Sequence, residues 1–127
     1  LTLEQTNRRF RELLDLDFTY AEPDDQTEAL YTLLIGRKGP VWYRGYYKDK
    51  KISQESFDSI LQYYRVKRIV VGHTKQKTIT PYYQNRLIAI DTMDYEDPKK
   101  ESGEALLLEK QKLYRLNNGG KREQLLP

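Results

Sequence analysis

No cysteine occurs in these 127 residues, and histidine, methionine and tryptophan appear once each. The missing thiols exclude disulfides and thiolate metal sites, and they leave the redox compartment open. Long apolar runs are missing too. Nothing approaches the ~20 residues that a membrane helix requires, and the opening residues do not resemble a signal peptide, so no membrane partner is expected. If the amino terminus is a cut end, the lack of a signal says nothing about compartment, and localisation stays undetermined. A surplus of one charge is also lacking: 22 Lys and Arg stand against 19 Asp and Glu, a formal +3. Nucleic-acid binders gather positive charge into one patch, whereas acidic and basic residues interleave here in every segment. There is no internal repeat and no low-complexity segment. With 38% hydrophobic and 32% charged residues, the chain is expected to be soluble and to form one domain or part of one.

The first half carries three helix signals. Thr2 with Gln5 three residues on makes a capping-box pattern, and Leu3, Phe10, Leu13 and Leu14 fall on one face, which predicts a helix to about Leu14. Phe18 and Tyr20 lie in the connection. Asp25 is expected to cap the second helix, with Glu28 completing the pair; Ala29, Leu30, Leu33 and Leu34 form its apolar stripe and Gly36 its stop. Ser53 starts the third, in which Phe57, Ile60, Leu61 and Tyr64 recur at helical spacing.

The second half reads as strands. Ile69, Val70 and Val71 form a β-branched run that stops at Gly72, so the lone histidine, His73, is expected just past the carboxyl end of a buried strand. Open α/β sheets place their chemistry at that end. A turn over residues 81–85 leads to a second strand over residues 86–91, which brings Asp91 to the same rim. His73 can then be a metal ligand, a general base or a satisfied structural residue, since proton transfer and metal ligation are the usual tasks of imidazole. A preceding glycine permits unusual backbone angles or close approach. Thr74 can bond a ligand or finish the turn. Lys75 and Lys77 read as solvated surface, and residues 78–80 have strand-like content. Residues 104–116 form a hairpin turning at Lys110 and Gln111, with Ala105, Leu106, Leu107 and Leu108 buried on both faces, and residues 121–127 can add an edge strand. The fold class is therefore α/β: three helices followed by about five strands in one mixed sheet.

Two further stretches bear on binding. Residues 37–49 are rich in glycine and aromatics and contain Arg44, whose planar fork can grip a phosphate with two bonds; the alternative is an ordinary surface ion pair beside an anchored Trp42 and Tyr43. Tyr43, Tyr46, Tyr47, Tyr63, Tyr64, Tyr82 and Tyr83 could stack on bases beside Arg44 and Lys48, a weaker reading than loop and rim packing. Asp94, Glu96 and Asp97 lack the glycine and terminal glutamate of a calcium loop and read as solvated.

Residues 70–74 (VVGHT), Gln76 and residues 88–92 (IAIDT) resemble the carboxyl-terminal half of the calcineurin-like metallophosphoesterases, in particular the bacterial and Shewanella-like serine/threonine phosphatases. Residues 39–45 (GPVWYRG) are similar to the Gly-Pro-x-Trp-x-Arg segment of that group, residues 102–115 to its terminal hairpin and residues 3–11 to the helix after its His-Gly-Gly motif. The resemblance covers nearly the whole chain but only the second half of that family's domain. The Asp-x-His, Gly-Asp-x-x-Asp-Arg and Gly-Asn-His-Glu motifs are absent, which implies a truncated chain, a proteolytic fragment or a degenerate copy, inactive by itself.

The resemblance further implies half of a β-sandwich with flanking helices, and two divalent metal ions of the Mn, Fe or Zn type in the full-length protein. In that scheme His73 is a metal ligand, Arg44 faces the substrate phosphate, and Asp91, Thr74 and Tyr95 support the site or its rim. Met93 stands where the family often has glycine, which puts the local backbone in doubt. The implied activity is phosphoester hydrolysis on a phosphorylated protein or small phosphoester. A non-catalytic interaction domain and a single-strand nucleic-acid binder are the competing classes. A sheet face awaiting a partner sheet also implies self-association of the fragment.

Overall fold

The computed structural model describes residues 1–16, 22–46, 52–92 and 103–126. Three helices come first: α1 (Leu3–Leu14), α2 (Asp25–Leu34) and α3 (Gln54–Tyr64). The chain divides within α3 into two compact units, Leu1–Ser56 and Phe57–Pro127.

In the first unit, α1 opens on the expected capping box. The Thr2 N–H donates to Gln5 Oε1 at 2.8 Å, and the Gln5 N–H donates back to Thr2 Oγ1 at 3.2 Å. Its apolar stripe is narrower than expected, because Leu13 is buried but Leu3 and Leu14 are 48% and 72% exposed. The cap of α2 lies one residue earlier than expected: Asp24, in extended backbone, accepts the Thr27 N–H at 2.8 Å. That leaves Asp25 and Glu28 in the first turn, where negative charge suits the helix dipole. The first unit buries Leu13 and Leu34.

The second unit begins in α3, whose start is capped by Ser53 Oγ accepting the Ser56 N–H at 3.1 Å, and whose buried side chains are Phe57 and Leu61. Strands β1 (Ile69–Val71), β2 (Thr80–Tyr82) and β3 (Leu87–Ala89) form one sheet in the order β1-β3-β2, with β1 parallel and β2 antiparallel to β3. The central β3 is buried throughout, but β1 is an edge strand and Val70 is 50% exposed, so the His73 strand is not the buried one expected. Pro81 belongs to β2 rather than to the turn, as an edge strand tolerates a residue without an N–H. The turn falls instead on Tyr83, Gln84 and Asn85, at φ 48°, 53° and 69°. Phe57 stacks on Tyr83 with ring centroids 4.3 Å apart, and Asp58 pairs with Arg86 at 2.6 Å, so α3 clamps this turn.

Strands β4 (Glu104–Glu109), β5 (Lys112–Asn117) and β6 (Arg122–Leu126) form a separate antiparallel meander. Its first turn uses Lys110 and Gln111, both at positive φ, which matches the right-handed twist of a two-residue hairpin. The expected single mixed sheet of about five strands is thus two three-stranded sheets, and the half-sandwich is not seen. The physical reason is that the tight antiparallel connections of β4, β5 and β6 make these strands pair with one another rather than extend the sheet of β1, β2 and β3. Burial of residues 105–108 on both faces also fails: Leu108 is 66% exposed, Ala105 is exposed and Leu106 and Leu107 are half-buried. The two sheets share one core, in which Ile79, Ile88 and Leu113 are packed by Ile90, Leu106 and Leu125. Among the described residues no helix is long and apolar enough to cross a membrane.

Candidate functional site

Parallel pairing sets the site. Val71 stands opposite Ala89, so the carboxyl ends of β1 and β3 share one rim, and His73 and Asp91 each follow two residues beyond that pair. The ladder runs one bond further, from the Ile90 N–H to the Val71 carbonyl at 2.9 Å. Gln76 then staples the two departing segments: its N–H donates to the Asp91 carbonyl at 2.7 Å and its Nε2 to the Thr74 carbonyl at 3.1 Å. The Tyr82 hydroxyl, from β2, donates to Gln76 Oε1 at 2.9 Å. A sequence reading sees in Gln76 only a motif position, because its partners come from three different segments.

Neither reason expected for a glycine before the histidine, close approach or a left-handed backbone, applies at Gly72. A Cβ on Gly72 would meet nothing within 4 Å, and the left-handed conformation falls on His73 itself, at φ 63°. A non-glycine residue in that region costs on the order of 1–3 kcal/mol, and such residues cluster at functional sites because the surroundings must hold them there. His73 is exposed on the rim, and Thr74 and Asp91 are half-buried beside it.

Beneath the rim lies a polar network that joins the two sheets. The Glu104 N–H donates to Thr92 Oγ1 at 2.9 Å, and Thr92 is only 4% exposed. The Glu104 carboxylate accepts both the Thr78 hydroxyl and the Ile79 N–H on Oε2, each at 2.7 Å. Arg115 Nε faces Glu104 Oε1 at 3.7 Å, Arg115 Nη1 donates to Thr78 Oγ1, and Nη2 reaches Glu123 at 2.7 Å. The bond to Glu123 raises the Arg115 guanidinium above its ordinary value, and the same bond holds the Glu123 carboxyl below its usual range. Register explains the encounter: Glu104 pairs with Asn117 and Leu106 with Arg115, so the two charges are diagonal neighbours on one face. Only that cross-strand diagonal could have signalled the pair, once the hairpin register was known.

Arg44 belongs to the first unit, in a loop built on close backbone approach. A Cβ on Gly45 would collide with the Tyr43 hydroxyl, and Tyr43 meets Tyr46 edge-on at 4.8 Å. The Arg44 guanidinium sits 5.9 Å from the Trp42 ring centroid, and Nη1 approaches the Val41 and Tyr43 carbonyls at 3.5 and 3.3 Å. Trp42 is itself 47% exposed rather than an anchor into a core. Tyr95, Met93, Asp94, Glu96, Asp97, Tyr47 and Lys48 lie outside the described residues. Two open depressions, of about 550 and 490 Å³, lie on α2 around Ala29 and Leu33 and include none of the rim residues. Among the described residues no group of three or more His, Cys, Asp or Glu could hold a metal ion.

The sequence matches no protein-family model and no curated protein. Solved structures do match. A cold-active protein-tyrosine phosphatase of the psychrophile Shewanella sp. is 35% identical, with a TM-score of 0.73 over 99% of this chain and 36% of that one. Another structure of a cold-active protein tyrosine phosphatase is 36% identical, with a TM-score of 0.75 over 98% of this chain and 35% of that one. A point mutant of a cold-active protein tyrosine phosphatase gives 35% and 0.73. The chain spans about a third of the length of the solved structures it matches.

These matches correct two expectations. The similar structures are described as tyrosine phosphatases, so the assignment to calcineurin-like metallophosphoesterases is withdrawn. The two divalent ions rested on that assignment and fall with it.

Proposed function

We propose that this chain is part of a phosphatase-like hydrolase acting on phosphorylated tyrosine in proteins, and that the rim of His73 and Asp91 contributes to its chemistry. The supporting observation is similarity to tyrosine phosphatase structures at 35% identity over 99% of the chain. Phosphoester cleavage needs a proton for the leaving oxygen and neutralisation of charge on the phosphoryl group. With no cysteine in the chain, a thiolate is not what these residues supply. What they offer is an exposed imidazole held in a strained backbone at a strand end. Imidazole is a common proton-transfer group in catalysis, so His73 is the candidate to accept and return a proton. Asp91 is the carboxylate of the same rim, and the Thr74 hydroxyl can bond a phosphoryl oxygen. Arg44 remains the phosphate-binding candidate of the first unit, to be tested separately. Phosphorylated protein or a small phosphoester is the partner class. Turnover belongs to the longer protein, and the 127-residue chain alone is expected to be inactive.

The test compares the complete protein containing these residues with its His73→Ala variant on phosphotyrosyl peptide, phosphoseryl peptide and p-nitrophenyl phosphate. Loss of proton transfer lowers kcat by about 10²- to 10⁴-fold on the phosphotyrosyl peptide. Turnover within twofold of the parent, in a variant with unchanged circular dichroism, overturns the assignment of His73.

A further inference from the structure

The geometry points to Glu104 as the residue that positions the rim, through bonds to both of the segments that carry it. This rests on reading the rim of His73 and Asp91 as catalytic, and it concerns a side chain that touches neither substrate nor reacting atoms.

Two segments leave the parallel pair of β1 and β3, one with His73 and one with Asp91. The first returns to the sheet at Thr78 and Ile79, and there the Glu104 carboxylate holds it with two bonds of 2.7 Å, one to a side chain and one to the backbone. The second continues from Asp91 to Thr92, where the Glu104 backbone N–H is bonded to Thr92 Oγ1 at 2.9 Å. One residue of β4 therefore fastens the far end of the His73 loop and the residue after Asp91. Between these fastenings Gln76 joins the same two segments at 2.7 Å.

The attachment is stiff. Glu104 is 17% exposed and Arg115 is 24% exposed at the side chain, and Arg115 bonds to Thr78 as well as facing Glu104, closing a triangle of Glu104, Thr78 and Arg115. A half-buried carboxylate that accepts two donors and faces a guanidinium has little freedom to move. The strained φ of His73 requires such support, since a loop free to relax would leave the left-handed region. A loop displaced by about 1 Å can lower a rate by about 10²-fold, so loss of the fastening is read in catalysis as well as in stability.

The experiment uses the complete protein and its Glu104→Ala, Glu104→Gln and His73→Ala variants, with two readouts: hydrogen exchange of residues 72–79 and kcat against KM for phosphotyrosyl peptide. Glu104→Gln keeps a carbonyl oxygen for Thr78 and Ile79, while Glu104→Ala removes it. In Glu104→Ala, exchange over residues 72–79 quickens and kcat falls about 10²-fold with KM little changed. Glu104→Gln restores both, and His73→Ala leaves the loop protected.

Unchanged exchange over residues 72–79 in Glu104→Ala overturns the fastening. Quickened exchange with kcat unchanged overturns the positioning role. In that second case the His73→Ala rate separates the two claims: an inactive variant leaves the catalytic rim standing, and an active one removes it too.

Discussion

Ile88 joins the two sheets of the second unit. It is fully buried at the centre of β3 and packs with Ile79 and Leu113, the latter from the other sheet. Ile88→Val removes one methylene, worth about 0.8 kcal/mol of transfer free energy. Ile88→Ala removes three carbons, about 2.4 kcal/mol on the same scale. A residual cavity of roughly 50 Å³ at ~24 cal/mol per Å³ adds about 1.2 kcal/mol, for a total near 3.6 kcal/mol. Val70, its partner across β1 and β3, is the control: at 50% exposure it should lose under about 1 kcal/mol as Val70→Ala. Urea unfolding followed by far-ultraviolet circular dichroism reads all three. At a slope of about 1–2 kcal/mol per molar urea, Ile88→Ala shifts the midpoint by roughly 2–4 M and Val70→Ala by less than about 1 M. Equal losses at the two positions would refute the claim that the sheets close on a common core through β3.

Two other outcomes are expected. The Thr27 backbone N–H holds the Asp24 carboxyl below its ordinary value, so the charged form favours the folded helix. Its contribution is complete above the usual carboxylate range, near pH 3.9, and fades as pH falls through the lowered value; Asp24→Ala should therefore lower the thermal midpoint at pH 7 and differ less and less from the parent in acid. A difference that stays constant down to pH 2 would show that the cap is not electrostatic. Leu14, Leu33 and Leu108 expose 72%, 61% and 66% of their surface, apolar area that association would remove from water. The chain is expected to sediment as a dimer or larger species at high concentration, and a monomer across the whole range counts against it.

Much of the local structure could be read from the chain because it rests on short-range chemistry. The capping box of Thr2 and Gln5 and the stop of β1 at Gly72 depend on neighbours within one turn. The hairpin turn at Lys110 and Gln111 is equally local. His73 and Asp91 could be read locally as strand-end residues, whereas their common rim depends on the parallel pairing of β1 with β3. The family could not be read this way. A few motif residues mark where a site stands, and the correction came from similarity along 99% of the chain.

What only the tertiary structure decided involves partners far apart in sequence. Strand partners are settled only in the fold: β4 lies at an edge of its own sheet, and Leu108 remains exposed although the three residues before it are apolar. An edge position makes room for Pro81 in a strand. Neither the positive φ of His73 nor the hold of Glu104 on Thr78, Ile79 and Thr92 has a local signature. Amino-acid order specifies each element through contacts within a few residues, whereas burial and hydrogen-bond satisfaction belong to surfaces that exist only once the elements have met.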